Sequence, residues 1–235
     1  YNSETFGYNI SFFPSADNIS SQQTLINQGP LVGGMRVRVD QEGWIYLIKS
    51  NLQSCDHSDA DVSFGEWNDL RITYDGEYVT YIINGNQTVR GCSLDFDFGG
   101  ELILGHNHNY EYFNGNIKDF SYWSDSDTNQ DPKIEYKFNI GSGDYLIDRS
   151  GNQNHGIIHG ATWIIPGCMD PLAENYNSDA TIDDGSCIGS PVNAADFTYA
   201  GELNEHYYYL SNNRENWDNA KNICESNNGH LVSIS

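Results

Sequence analysis

The chain has 235 residues and carries 33 Asp and Glu against 11 Lys and Arg, a net charge of −22. So acidic a surface repels DNA, RNA and anionic lipid, which excludes nucleic-acid and membrane-surface partners. It attracts cations, Ca²⁺ first, because Asp, Asn and backbone carbonyls supply hard oxygens.

No apolar run approaches the roughly 20 residues that cross a bilayer, so membrane insertion is not expected. The first residue is Tyr1, without a Met or a leader, which reads as a cut or processed start.

In chain order, Phe6 to Phe13 predicts a strand ended by Pro14, and Thr24 to Gly29 a short strand with a glycine stop. From Met35 the sequence alternates, with Met35, Val37 and Val39 on one face and Arg36 and Arg38 on the other. After an Asp40–Gly43 turn, Trp44 to Ile48 completes a hairpin, and Ser50 to Ser63 is a loop holding Cys55.

The most regular passage follows. Trp67–Tyr74 and Tyr78–Ile83 predict strands joined by the turn Asp75-Gly76, and Asn84-Gly85 makes the next turn. Leu102–Leu104 and a ragged alternation of Ile117, Phe120 and Tyr122 add two strands, bracketed by Gly105 and Gly115. Many short strands without a helical period predict an antiparallel sandwich or jelly roll. Trp44, Trp67, Trp123 and Trp163 fall inside strand patterns and are assigned to the core.

Of the five cysteines, Cys55 with Cys92 and Cys168 with Cys187 form local pairs, leaving Cys224 alone. Paired cysteines in a chain rich in Tyr, Asn and Gly predict an exported, oxidising location. Sequons at Asn9, Asn18 and Asn86 are compatible with it.

The family resemblance lies in Trp67-Asn-Asp-Leu-Arg-Ile-Thr-Tyr-Asp-Gly, Gly100-Glu-Leu-Ile-Leu-Gly105, and Phe113-Asn-Gly-Asn-Ile-Lys-Asp-Phe-Ser-Tyr-Trp123. With Asp148-Arg-Ser-Gly-Asn-Gln-Asn-His-Gly156 and Gly160-Ala-Thr-Trp163, these resemble the laminin-G-like, concanavalin A-like jelly rolls. The likeness covers residues 1–165. The Asp148–Gly156 segment often opens such domains, and here it follows the body.

Residues 166–188, from Gly167-Cys168-Met-Asp170-Pro to Asp183-Asp184-Gly-Ser-Cys187, closely resemble a disulfide-closed connector between domains of secreted and surface proteins. Residues 189–196 read as a linker. Residues 197–235 resemble the opening of a C-type lectin-like domain. There Trp217, Ala220 and Cys224 share a helix face, and a strand is expected from Gly229 to Ile234. Only about the first 40 residues of that fold are present, so this piece is expected to bind no sugar and to be poorly ordered alone or held by another chain.

Two stretches are candidate sites. In the loop His106-Asn-His-Asn-Tyr-Glu-Tyr112, the residues His106, Asn107, Tyr110 and Tyr112 suit a glycan, because tyrosine faces stack on sugars while Asn and His bond hydroxyls. The competing reading is a hydrophilic loop with no ligand; His106 and His108 lack a third metal ligand.

In the connector, Asp170, Asn175, Asn177, Asp179, Asp183 and Asp184 place alternate oxygens along one loop and could wrap Ca²⁺. Alternatively they are turn formers, and the Cys168–Cys187 bridge alone, worth on the order of 3 kcal/mol, folds the unit. Asp148 and His155 read as a turn, and no nucleophile elbow or carboxylate pair points to an enzyme.

The resemblances imply an extracellular binding or adhesion module, secreted or on a cell surface, that recognises glycans or glycoproteins and adjoins other chains of a surface assembly. Its rivals are a ligand-free spacer and an accessory module of a polysaccharide-degrading enzyme.

Overall fold

The computed structural model describes residues 5–17, 22–30, 32–49, 53–106, 111–139, 141–189, 192, 196–204 and 206–232. The chain divides into two compact units, residues 1–159 and 160–235.

The first unit is an antiparallel β-sandwich. Its strands are β1 (Phe6–Pro14), β2 (Gln22–Gln28), β3 (Met35–Asp40), β4 (Ile45–Lys49), β5 (Gln53–Ser54), β6 (Asn68–Tyr74), β7 (Tyr78–Ile83) and β8 (Asn86–Gly91). They are followed by β9 (Leu102–Leu104), β10 (Gly115–Trp123), β11 (Ile134–Lys137), β12 (Tyr145–Leu146) and β13 (Gly156–Ile157). The larger sheet runs β11-β10-β1-β6-β7-β8 and the smaller β5-β4-β3-β2-β9.

Period-two patterning explains the larger sheet. Along β6, Leu70, Ile72 and Tyr74 are buried while Asp69 and Arg71 are exposed, and β7 repeats this with Val79, Tyr81 and Ile83 inward. The Asn84-Gly85 turn is the predicted hairpin turn, with both residues at positive φ (50° and 84°), as a type I′ turn needs. Pro14 is the last residue of β1, as expected; it pairs with Gly115 of β10 where β6 no longer pairs, so its missing N–H costs no ladder bond on that side.

The core is aromatic. Phe6, Tyr8, Phe12, Tyr74, Tyr81 and Phe120 are each at most 1% exposed. Two tyrosine hydroxyls tie the sheets together. Tyr8 Oη donates to Gln28 Oε1, and Tyr81 Oη accepts from Leu47 N and donates to Asp56 O, each at 3.1 Å. Burial raises the pKa of both phenols. Cys55 and Cys92 are bonded, with Cα atoms 5.3 Å apart, and link the segment after β5 to the one after β8.

The tryptophans are a correction. Trp67 is 49% exposed, edge-on to Phe13 and covered by the Lys118 ammonium at 5.2 Å, and Trp44, Trp123 and Trp163 are only half-buried. Tyrosine and phenylalanine fill the interior in their place.

The Asp148–Gly156 segment belongs to this unit. Asp148 bridges to Tyr136 of β11, and β12 pairs with β13 alongside. Here the segment closes the sandwich from its C-terminal side.

In the second unit, β14 (Pro166–Gly167) and β15 (Ile182–Asp183) pair in parallel, and Cys168–Cys187 closes the connector at a Cα separation of 4.8 Å. Then β16 (Phe197–Leu203) and β17 (His206–Ser211) form a hairpin, followed by α1 (Trp217–Ser226). The helix is capped by Asn216, whose side chain accepts from Asn219 N at 3.0 Å, and it buries no residue. Cys224 is unpaired. No strand forms at residues 229–232; the rest of that expected strand lies outside the described residues.

Candidate functional site

The pairing register of the smaller sheet decides which side chains share its outer face. Met35, Val37 and Val39 point inward and are fully buried, as their alternation predicts. Their neighbours form rows across the other face. One row is Thr24, Arg38 and Tyr46; the next is Ile103, Asn27, Arg36, Ile48 and Ser54.

A bulge between Thr24 and Ile26 keeps both Thr24 and Asn27 on this face. The polar half of the alternation is buried: Arg36 is 3% exposed, Arg38 6%, Asn27 2% and Thr24 0%. Strand patterning fixes which face a side chain takes, and here the middle of that face, around Arg36, Arg38, Asn27 and Thr24, is not open to water.

Glu111, at the end of the predicted site loop, reaches this face. Its carboxylate pairs with Arg38 Nη2 at 2.6 Å and accepts from Thr24 Oγ1 at 3.1 Å. Arg38 Nη1 donates to Gln22 Oε1 at 2.8 Å, and Arg36 Nε donates to Asn27 Oδ1 at 3.2 Å. Of the three buried donors without a hydrogen-bond partner among the described residues, Arg38 Nε and Asn27 Nδ2 belong to this face; the third is Gln23 Nε2. Burial lowers the pKa of Arg36; Arg38 lowers it further and Glu111 opposes the shift.

Beside these rows lies a shallow pocket of about 280 Å³, lined by Gln22, Arg38, Asp40, Tyr46, Ile48 and Ser54. Burial raises the Tyr46 pKa, and the charge of Asp40, a hydrogen bond to it and Glu42 add to the rise. Tyr46 packs edge-on against His57 at 5.5 Å, and His57 stacks flat on Trp44 at 4.1 Å and 4°. All three rings are half-buried. The pocket thus combines hydrogen-bonding groups of both senses with an aromatic border.

Of the loop residues predicted to bind, Asn107 and Tyr110 lie outside the described residues. His106 and Tyr112 bridge the two arms of the loop, their rings 5.5 Å apart, with Phe113 N donating to Gly105 O at 2.7 Å. Tyr112 is 59% exposed. The pocket residues Tyr46, Gln22, Asp40 and Ser54 were not singled out from sequence. The one available signal was Arg36 and Arg38, two of only 11 basic residues, placed two apart in a strand.

The connector residues serve its turns. Asp170 Oδ1 accepts from Leu172 N at 2.9 Å and from Tyr209 Oη at 3.0 Å, which raises the Tyr209 pKa along with burial. The Asn175 side chain donates to Ser186 O and accepts from Ile188 N, both at 2.8 Å. Asn177, Asp183 and Asp184 accept from Asp179 N, Gly185 N and Ser186 N at 2.9–3.0 Å.

Hydrogen bonds from Ser186 hold the Asp184 carboxyl below its usual range. Among the described residues no group of three His, Cys, Asp or Glu side chains could hold a metal ion. A Ca²⁺ site would need six to eight oxygens, with Asn side chains and backbone carbonyls beside the carboxylates.

Asp148 and His155 form no catalytic pair. Asp148 N donates to His155 Nδ1 at 3.1 Å, and the Asp148 carboxylate accepts from Glu135 N, Ser150 N, Ser150 Oγ and Asn154 N at 2.8–3.0 Å. Burial pushes this carboxyl up, but those four bonds outweigh it and hold its pKa below the ordinary value.

No protein-family model matches this sequence, and no curated protein matches it. Solved structures do. A candidate carbohydrate-binding protein from Bacteroides ovatus superposes over 68% of this chain with a TM-score of 0.51 at 15% identity. The match spans 55% of that protein's own chain.

Domains LG4-5 of the mouse laminin α1 chain match over 51% of this chain and 35% of theirs, at 12% identity and a TM-score of 0.40. The CBM40 of the Ruminococcus gnavus IT-sialidase, bound to α2,3-sialyllactose, matches over 52% of this chain and 78% of its own, at 15% identity and 0.43. The chain is mainly β, built on an antiparallel sandwich whose fold is shared with the Bacteroides ovatus protein.

Proposed function

We propose that the chain is a glycan-binding module of an extracellular or cell-surface protein, working in adhesion, and that its site is the outer face of the smaller sheet. The observation that carries this reading is the pocket where the Tyr46 ring adjoins Gln22, Asp40, Arg38 and Ser54, with His57 packed edge-on to Tyr46 and stacked on Trp44. Rings take the apolar face of a pyranose, and side chains that donate and accept at its edge read the hydroxyls.

Glu111, from the sequence-predicted loop, reaches this face and pairs with Arg38. The sandwich shared with the Bacteroides ovatus protein, itself described as carbohydrate-binding, is in keeping with this. The connector is a disulfide-closed spacer that docks onto the hairpin through Asp170 and Tyr209.

A glycan array followed by calorimetry on the whole chain tests the proposal. Tyr46→Ala should weaken the best glycan by roughly tenfold or more, about 1.4 kcal/mol, while Trp67→Ala leaves it unchanged. A folded protein that binds no glycan, or binding indifferent to Tyr46→Ala, contradicts the proposal and favours a ligand-free spacer.

A further inference from the structure

We infer that the Arg36 and Arg38 pair on β3 is a subsite for a carboxylate, and therefore that the glycan taken by this face is an acidic one; this rests on the reading of the face as a sugar site.

The unmade hydrogen bonds all have one sense. Arg38 Nε and Asn27 Nδ2 are buried donors without partners. Among the described residues no hydrogen bond or ion pair engages the terminal nitrogens of Arg36, while its Nε donates to Asn27 Oδ1. Asn27, Arg36 and Arg38 are each more than nine-tenths buried. A buried N–H left unbonded is costly, and a ligand that brings acceptors removes that cost. A neutral sugar brings hydroxyls that must donate as well as accept. A carboxylate brings acceptors alone, and its two coplanar oxygens match a guanidinium fork.

The charge agrees. Across these two rows two guanidinium groups face one carboxylate, Glu111, which leaves a local excess of positive charge in a chain of net −22. Asp40, the other acid at the pocket, is committed to its turn, where Oδ1 accepts from Glu42 N at 3.1 Å and Trp44 N at 2.9 Å. Glu111 itself shows how a carboxylate sits here, across Arg38 and the Thr24 hydroxyl. A ligand carboxylate entering from the pocket, where Arg38 is part of the lining, meets the guanidinium face that Glu111 leaves open.

The test compares ligands on the unaltered chain. The probes are an oligogalacturonide against its methyl ester, sialylated lactose against lactose, and a sulfated oligosaccharide. At least one carboxylate form should bind roughly tenfold or more tighter than its neutral partner. Arg36→Met, checked for fold by circular dichroism, should erase that difference while neutral binding persists.

Equal binding of acid and ester, still sensitive to Tyr46→Ala, overturns the carboxylate subsite and leaves the sugar site standing. Preference for the sulfated probe over every carboxylate overturns the carboxylate assignment. Failure to bind any glycan overturns the sugar site itself. If Arg36→Met does not fold, the acid–ester comparison still decides.

Discussion

Two of the buried polar centres of the sandwich are built in opposite ways. Around Asp148 every bond closes within the chain: one carboxylate accepts from Glu135 N, Ser150 N, Ser150 Oγ and Asn154 N. Around Arg36 and Arg38 the ledger stays open, with Arg38 Nε and Asn27 Nδ2 buried and unbonded. A closed centre is what a fold uses to hold a turn. An open one is a cost to stability that a ligand can offset, and such costs gather at sites of function.

The difference can be broken or sharpened by substitution. The largest effect is expected at the closed centre. Asp148→Ala strands several backbone donors at once and should destabilise the sandwich by about 2–4 kcal/mol, read from urea unfolding. An effect below about 1 kcal/mol would show that water replaces the carboxylate freely.

The same centre sets a pH dependence. The folded-state pKa of Asp148 is depressed, so its contribution is full above its unfolded value of about 3.9 and is lost as the pH falls through the folded value. Melting temperatures of the unaltered chain and Asp148→Asn should therefore differ most near neutrality and converge in acid. A gap that widens in acid would contradict the assignment.

At the open centre the expected effect is smaller. Arg36→Met removes a buried charge with one hydrogen bond and should shift stability by no more than about 1 kcal/mol in either direction. A loss of several kcal/mol would make Arg36 a structural residue like Asp148. Smallest of all, EDTA should leave the melting temperature of the connector unit unchanged, because its acidic side chains serve turns; a chelator-induced drop would restore Ca²⁺ to the account.

Much of this architecture was legible in the sequence because it is local. Asp75-Gly76 and Asn84-Gly85 announce their hairpins, the alternation of β6 and β7 states which residues go inside, and both disulfides join the cysteines paired by position. The site was not legible. It draws Gln22, Arg38, Tyr46 and Ser54 from four strands, and only the register brings them into one pocket. Alternation placed Arg36 and Arg38 opposite Val37, but it cannot say that the outward face is itself buried. Trp67 misled for a related reason: a strand pattern gives a side, and the larger sheet's outer side is open to solvent.

The most direct measurement is a crystal structure of the chain with its best-binding acidic oligosaccharide. The account predicts the sugar against Tyr46, with a carboxylate on Arg36 and Arg38. A ligand seated elsewhere, on the exposed Tyr112 or on the larger sheet beside Trp67, would contradict it.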